Sequence, residues 1–539
     1  MMRLFSAGVA GTAAVAALFA QTGLALPQAP AEMPRLVHQQ GRYALFVDGK
    51  PYLVLGAQVN NSSNYPAMLP QVWPAIEQVH ANTVLVPVAW EQVEPRQGEF
   101  DFSFVDTLLE QAREHRIRAI LLWFGTWKNN GPSYTPEWVK LDNARYPRVL
   151  SSKGERMGSL SPHAAATLDA DRRAFVQLMR HLKQTDPQHT VILVQVENEA
   201  GTYGSVRDYS PMAQRLFEEQ VPSQLVRALN KKVGTWKAVF GPDADEFFHA
   251  WSIASFIQQV AAAGKAEYPL PMYANAALRD PLSPGPAIAY ESGGPTDNVF
   301  EVWKAAAPAL DLLAPDIYMP EYVKYARVLD LYQRPDNALF VAETGSSAPY
   351  PRYIFAALGH QAIGFSPFGL DFTGYSNYPL GALKIDSDTL EPFAREYRLV
   401  GSMQTELARL SLQGKLHGVA EDPAHHSQTL TAGRWQAVVS YGLQSFGYGT
   451  PPGNPQADGG VLIGELAPDE LLVTGYHARV TFELAAPKDG EKTQLPCVEE
   501  GFYRDGAWHF LQVWNGDQTD YGLNFTSGTQ VLHVRLATY

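Results

Sequence analysis

Two apolar runs in this chain end in carboxylates that packing alone does not explain. Val191-Ile-Leu-Val-Gln-Val-Glu-Asn-Glu-Ala-Gly201 stays almost wholly apolar until it presents Glu197, Asn198 and Glu199, and Ala338-Leu-Phe-Val-Ala-Glu-Thr-Gly345 does the same with Glu343. Each site alone has a plainer reading, a charged strand end bonded to neighbouring loops. Together they suit glycoside hydrolysis, in which one carboxyl protonates the leaving oxygen and a second stabilises or attacks the anomeric carbon. At the roughly 5–5.5 Å separation that goes with retention, like charges repel and raise one pKa. A proton is then available near neutral pH. Strict alternation along the strand sends Glu197 and Glu199 to one side and Asn198 to the other, unless the strand end is distorted.

Such a pair needs a scaffold that ends its strands at one rim. Short apolar runs with polar C-terminal ends recur at Tyr52–Gln58, Thr83–Trp90, Arg118–Thr126, Thr190–Glu199, Pro271–Ala277, Leu310–Tyr318, Ala338–Thr344 and Ala362–Asp371. Helical spacing lies between several of them, as in Val105, Leu108, Leu109, Ala112 and in Phe175, Leu178, Met179, Leu182. Strands alternating with helices predict a parallel sheet closed as a (β/α)₈ TIM barrel over 26–411, with its site at the strand ends. An open doubly wound sheet is the competing fold, but no G-x-G-x-x-G follows the first strand. In a closed barrel the fourth and seventh strands face each other across the mouth, which brings the two carboxylate runs together.

From residue 412 to 539 the pattern changes to short strands and turns. Ala478, Val480, Phe482 and Leu484 alternate with polar residues, and Asp505-Gly506 stands between two strand-like segments. This predicts an all-β, sandwich-like C-terminal domain with a Gly/Pro-rich loop at Tyr448–Gly460. At the other end, Arg3, the apolar run Leu4–Ala20 and Gly23-Leu24-Ala25 read as a signal peptide over 1–25. An uncleaved anchor is the rival, on a run of about 17 residues at the bottom of the spanning range. The expected location is outside the cytoplasm, in a periplasm, with no membrane insertion after cleavage. Lys and Arg number 42 against 55 Asp and Glu, and no basic cluster stands out, which argues against nucleic-acid partners. A single cysteine, Cys497, excludes an intramolecular disulfide and a cysteine-rich metal site.

The run Gln195-Val-Glu-Asn-Glu199 resembles the Q-x-E-N-E core of the family 35 β-galactosidases, within the clan of retaining glycosidases built on (β/α)₈ barrels. Trp90-Glu-Gln-Val-Glu-Pro-Arg-Gln-Gly-Glu-Phe-Asp-Phe102 is similar to that family's W-x-x-x-E-P-x-x-G-x-x-D-F segment, and Asn82 before the second strand adds to the likeness. The chain departs from the pattern at Gln188-His189-Thr190, where Gly-Gly-Pro is usual, and at Ala200, where an aromatic is usual. It therefore looks like a divergent bacterial branch. Family 42 galactosidases and family 5 glucanases share the Asn-Glu and Glu logic. The resemblance implies that Glu199 is the general acid/base, Glu343 the nucleophile and Asn198 the contact to the sugar 2-OH, with no metal or organic cofactor. It further implies an exo-β-galactosidase acting on plant-polysaccharide oligosaccharides such as xyloglucan fragments. A β-glucosidase or endo-glucanase of the same clan, and a non-catalytic carbohydrate-binding protein, remain competing readings.

Other strand ends add candidates. Tyr318 could hold Glu343, and Asn275 points from the fifth strand end. Gln58, Asn60 and Asn61 could bind hydroxyls or simply make a turn. Trp90 and Trp127 could stack on a pyranose or serve as core, and the same choice applies to Trp435, Trp508 and Trp514 in the C-terminal domain. The acidic stretch Asp243–Glu246 reads as a solvated helix start, and His425-His426 lacks the further ligands a metal site needs.

Overall fold

The computed structural model describes residues 32–442, 451–504, 506–526, 528 and 530–539. The expected signal peptide, the start of the Tyr448–Gly460 loop and Asp505 lie outside them. Among the described residues no helix is long and apolar enough to cross a membrane.

Eight strands pair in parallel and close into a barrel: β1 (Val54–Gln58), β2 (Thr83–Ala89), β3 (Arg118–Lys128), β4 (Val191–Asn198), β5 (Met272–Ala277), β6 (Leu312–Ile317), β7 (Val341–Thr344) and β8 (Gly364–Pro367). Closure is made where β8 meets β1, with Gly364 opposite Val54 and Phe365 opposite Leu55. The open-sheet alternative is thereby removed. Nearly every strand residue is buried, because helices cover the outside and side chains fill the inside, and this is why the strands read as continuous apolar runs. The two helices expected from spacing are Ser103–Glu114 and Ala165–Thr185, each laying its apolar stripe on the barrel.

Tyr52, expected at the start of the first strand, belongs instead to a three-stranded antiparallel sheet of Arg35–Gln39, Arg42–Val47 and Lys50–Tyr52. Leu45 and Val47 of that sheet join Leu85, Ile120, Leu122, Leu312 and Phe340 in one buried cluster. The sheet lies at the end where the strands begin. There the Tyr52 hydroxyl meets Asn82 O at 3.0 Å, and Arg118, at the start of β3, pairs with Asp48. Plugging that end leaves the opposite rim as the place for a cleft. Asn82 is also at the plugged end, accepting from Leu55 N–H (2.9 Å) and donating to Leu53 O (2.9 Å), so it supports the fold far from the mouth.

The Ala244–Glu267 helix, after β4, corrects one expectation. Glu246 in its first turn is not solvated but 7% exposed, and it accepts from Tyr290 Oη (2.7 Å) and Asn298 Nδ2 (2.8 Å).

Past the Gln404–Gln413 helix the chain forms two antiparallel sheets of six and four strands. Their facing side chains, among them Trp435, Val439, Ile463, Val473, Val480 and Val534, make a second core, as a sandwich requires. The Thr493–Arg504 and Ala507–Val513 strands pair as a hairpin, with Arg504 opposite Ala507.

Candidate active site

Glu199, Asp316 and Glu343 meet at the rim where the strands end, each offering a carboxylate oxygen within 4.8 Å of the other two. Glu343 is 4% exposed and held by three donors. Gln58 Nε2 (2.9 Å) and Asn198 Nδ2 (3.3 Å) reach its Oε1, and Tyr318 Oη (2.7 Å) reaches its Oε2. The Tyr318 hydroxyl is pushed well up, by burial first and then by the Glu343 charge, so it stays a donor. Asp316 accepts from Asn275 Nδ2 at 2.6 Å and is hydrogen-bonded to Glu199. Burial, reinforced by the charges of Glu343 and Glu199, holds its carboxyl well above the usual range. Glu199 is pushed up to about 7 by burial; Lys128 opposes the rise, and Glu343 and Glu291 add to it. A carboxyl balanced there can both give and take a proton near neutrality.

The alternation expected at the end of β4 fails for a local reason. Glu197 and Glu199 both adopt left-handed backbone, φ 64° and 46°. Asn198 and Glu199 consequently face the cleft together, and Glu197 turns away under the sheet. There Glu197 Oε2 accepts from Trp127 N–H (2.7 Å), and its carboxyl hydrogen-bonds Asp171 of the Ala165–Thr185 helix. Asp171 in turn accepts from Trp123 Nε1 (2.9 Å) and Thr126 N–H (3.0 Å). Burial raises both carboxyls, Glu197 the further, so the pair shares a proton. Only glycine fits beside it: a Cβ on Gly125 would lie 2.4 Å from Trp123 Nε1 and 2.7 Å from Glu197 Oε1. Each left-handed non-glycine residue costs about 1–3 kcal/mol, and these buried contacts offset it.

Residues 71–242 match the Glyco_hydro_42 family model, described as Beta-galactosidase. This stretch is β-galactosidase-like. It carries Glu199 and ends before Glu343. Residues 393–526 match a domain of unknown function, DUF5597. A curated beta-galactosidase of Xanthomonas manihotis is 31% identical over 206 residues, covering 36% of this chain and 32% of that protein. The chain thus spans about a third of the length of the curated relative it matches. Among solved structures, the beta-galactosidase of Bacillus circulans sp. alkalophilus aligns with TM-score 0.49 and 13% identity, covering 66% of this chain and 57% of that one. That of Rahnella sp. R3 aligns with TM-score 0.47 and 17% identity, covering 68% and 58%.

Within and beyond the β-galactosidase-like stretch, the structure separates the sequence candidates. Asn198 and Tyr318 stand on Glu343, as described. Asn275 is 1% exposed, and its amide is committed to the protein: Oδ1 accepts Glu199 N–H (3.0 Å) and Nδ2 serves Asp316. It braces the cleft instead of meeting a sugar. Asn60 is fastened to Asp371 through its N–H (2.8 Å) and Nδ2 (2.7 Å), with Oδ1 left unpartnered.

Trp90 and Trp127 are corrections. Both are fully buried and cannot stack on a pyranose: Trp90 packs edge-on to Trp138 and donates to Glu94 (2.9 Å), and Trp127 packs edge-on to Phe256. Trp435 and Trp514 are buried likewise, and Trp508 stacks on His533.

Asp316 went unnoticed in the sequence although the same signal marks it, an acid at the C-terminal end of an apolar strand. Lys128, the last residue of β3, and Glu291, in the loop after β5, act on Glu199 and carry no such signal. By spacing, the three clustered carboxylates are also the group among the described residues that could hold a cation; the proton chemistry open to them needs none.

Proposed function

We propose that the protein is a secreted, retaining exo-β-galactosidase that removes terminal β-galactosyl residues from plant-polysaccharide oligosaccharides, xyloglucan fragments among them. The observation that carries the reading is the convergence of Glu199 and Glu343 from opposite strands, with oxygens within 4.8 Å, matching the close carboxyl pair of double displacement. The galactosyl preference draws on the match of residues 71–242 to the Beta-galactosidase model. The narrower placement near family 35 draws on Gln195–Glu199 and the Trp90–Phe102 segment, and secretion on Arg3 and the apolar run after it.

In the first step Glu343, aimed by Tyr318, Gln58 and Asn198, attacks the anomeric carbon while Glu199 passes its proton to the departing oxygen. The aglycone leaves as a neutral alcohol, and galactose stays as an ester of Glu343. Glu199, now ionised, takes a proton from water; the water oxygen displaces Glu343 and restores both carboxyls. Asp316, whose carboxyl burial biases toward the neutral form, hydrogen-bonds Glu199.

The test is hydrolysis of aryl β-galactoside and aryl β-glucoside by wild type and Glu343→Ala, with NMR of the first-formed sugar. Galactoside preference, a β anomer first and loss of turnover in the variant are expected. Wild-type turnover in Glu343→Ala, or α-galactose first, refutes the mechanism.

A further inference from the structure

The geometry points to a second saccharide subsite, separate from the three carboxylates, that holds a neutral sugar unit of the aglycone. The inference rests on the galactosidase reading for the word aglycone, but not for the site itself. A cavity of about 400 Å³ opens between the loops that follow β1, β3 and β8, lined by Asn60, Asn61, Ser62, Ser63, Met68, Tyr134, Thr373 and Tyr375. That volume lies in the range of small-molecule sites.

Its chemistry selects the class of ligand. No lining residue carries a charge. The nearest acid, Asp371, spends its carboxylate behind the wall on Asn60, Ser63 Oγ (2.7 Å) and Thr373. Hydroxyls, amides and aromatic faces remain, a set that matches a polyol with an apolar ring face. Asn60 is 4% exposed, and its Oδ1 and that of Asn61 are buried without a hydrogen-bond partner. Two unmet acceptors among the lining residues cost stability, and sugar hydroxyls are donors that would meet them once the amides turn toward the cavity.

The aromatic groups are arranged for stacking. Tyr134 is fixed edge-on to Phe124 at 5.2 Å, with its hydroxyl 3.2 Å from Ser62 Oγ. Tyr65 and Tyr375 lie close enough to influence its ionisation, and they are 47% and 59% exposed. Among the described residues before the C-terminal sheets, the strongly exposed tyrosines are Tyr65, Tyr203, Tyr375 and Tyr378, and all four sit on loops following barrel strands. Random surface tyrosines would be spread over both ends of the barrel and its flanks.

The cavity lies on the same rim of the barrel as the reacting centre. Gln58, which donates to Glu343, is two residues before Asn60. Lys128, whose charge acts on Glu199, lies over the Phe124 ring that holds Tyr134. The loops that line the cavity thus also carry, or pack against, residues that act on each carboxylate.

The experiment compares wild type, Tyr375→Ala and Tyr375→Trp on a xyloglucan oligosaccharide bearing one terminal β-galactosyl residue and on 4-nitrophenyl β-galactoside. In parallel, calorimetry titrates the galactose-free oligosaccharide into each protein. Loss of one stacking ring should weaken the oligosaccharide by about ten-fold in kcat/KM and in Kd. The fall should be several times larger than on the aryl substrate, and Tyr375→Trp should restore it. Equal losses on the two substrates, or Kd values unchanged in Tyr375→Ala, overturn the subsite. If wild type cleaves neither substrate yet binds the oligosaccharide in a Tyr375-dependent way, the subsite stands and the galactosidase reading falls.

Discussion

Replacing Glu343 by Gln removes a negative charge whose oxygen lies within 4.8 Å of a Glu199 oxygen while keeping the volume and hydrogen-bonding shape of the side chain. The sign follows directly: a neighbouring anion disfavours ionisation of Glu199, so its removal lowers the Glu199 pKa from about 7. At an effective dielectric of about 20 the two charges repel by about 3.5 kcal/mol at that spacing. The equivalent is about 2.5 pKa units as an upper bound, because the cleft opens to water. Burial and Glu291 continue to hold the group up, and Lys128 continues to pull it down. The Glu199 midpoint is therefore expected to fall below about 7 in the variant. Carbon-13 NMR of glutamate-labelled protein reads it without turnover, with Glu199→Gln identifying the resonance by its loss. A Glu199 midpoint that does not move in Glu343→Gln would refute the coupling, and with it the shared anomeric centre.

Two further outcomes follow from the same geometry. Tyr318→Phe deletes a 2.7 Å donor to Glu343. A hydrogen bond to a charged group contributes about 1.5–3 kcal/mol, so kcat on aryl β-galactoside should fall roughly 10- to 100-fold, with the circular dichroism spectrum unchanged. Glu199→Gln should raise stability at pH 8 but not at pH 4. The folded-state pKa of Glu199 lies above its ordinary value, so the native state gains from its neutral form at low pH and loses that gain as pH rises through about 7. Urea titrations should show a gain of up to about 3 kcal/mol at the higher pH only, and an equal gain at both would contradict the raised pKa.

The barrel was readable from the chain because strands buried on both faces must be apolar throughout, and eight such runs separated by helices leave little choice of topology. The acids at the ends of β4 and β7 stood out against that background for the same reason. Helix boundaries, the plug sheet and the sandwich order depend on long-range pairing, and the pattern of residues 32–52 did not reveal that they would close one end of the barrel.

What the sequence determined by itself was the fold class, the rim on which the cleft lies and two of its carboxylates, all of which follow from periodicity and from the cost of burying an unpaired charge. Tertiary structure decided the rest. The left-handed turns at Glu197 and Glu199 reversed the alternation, because Asp171 from the helix before β4 and Gly125 from the neighbouring β3 make room for Glu197 beneath the sheet. The same enclosure turned Trp90 and Trp127 from candidate sugar platforms into core, and it brought Asp316 in as a third carboxyl with a raised pKa. Side-chain direction at a strand end and the pKa of a buried acid are set by neighbours that only the folded chain supplies.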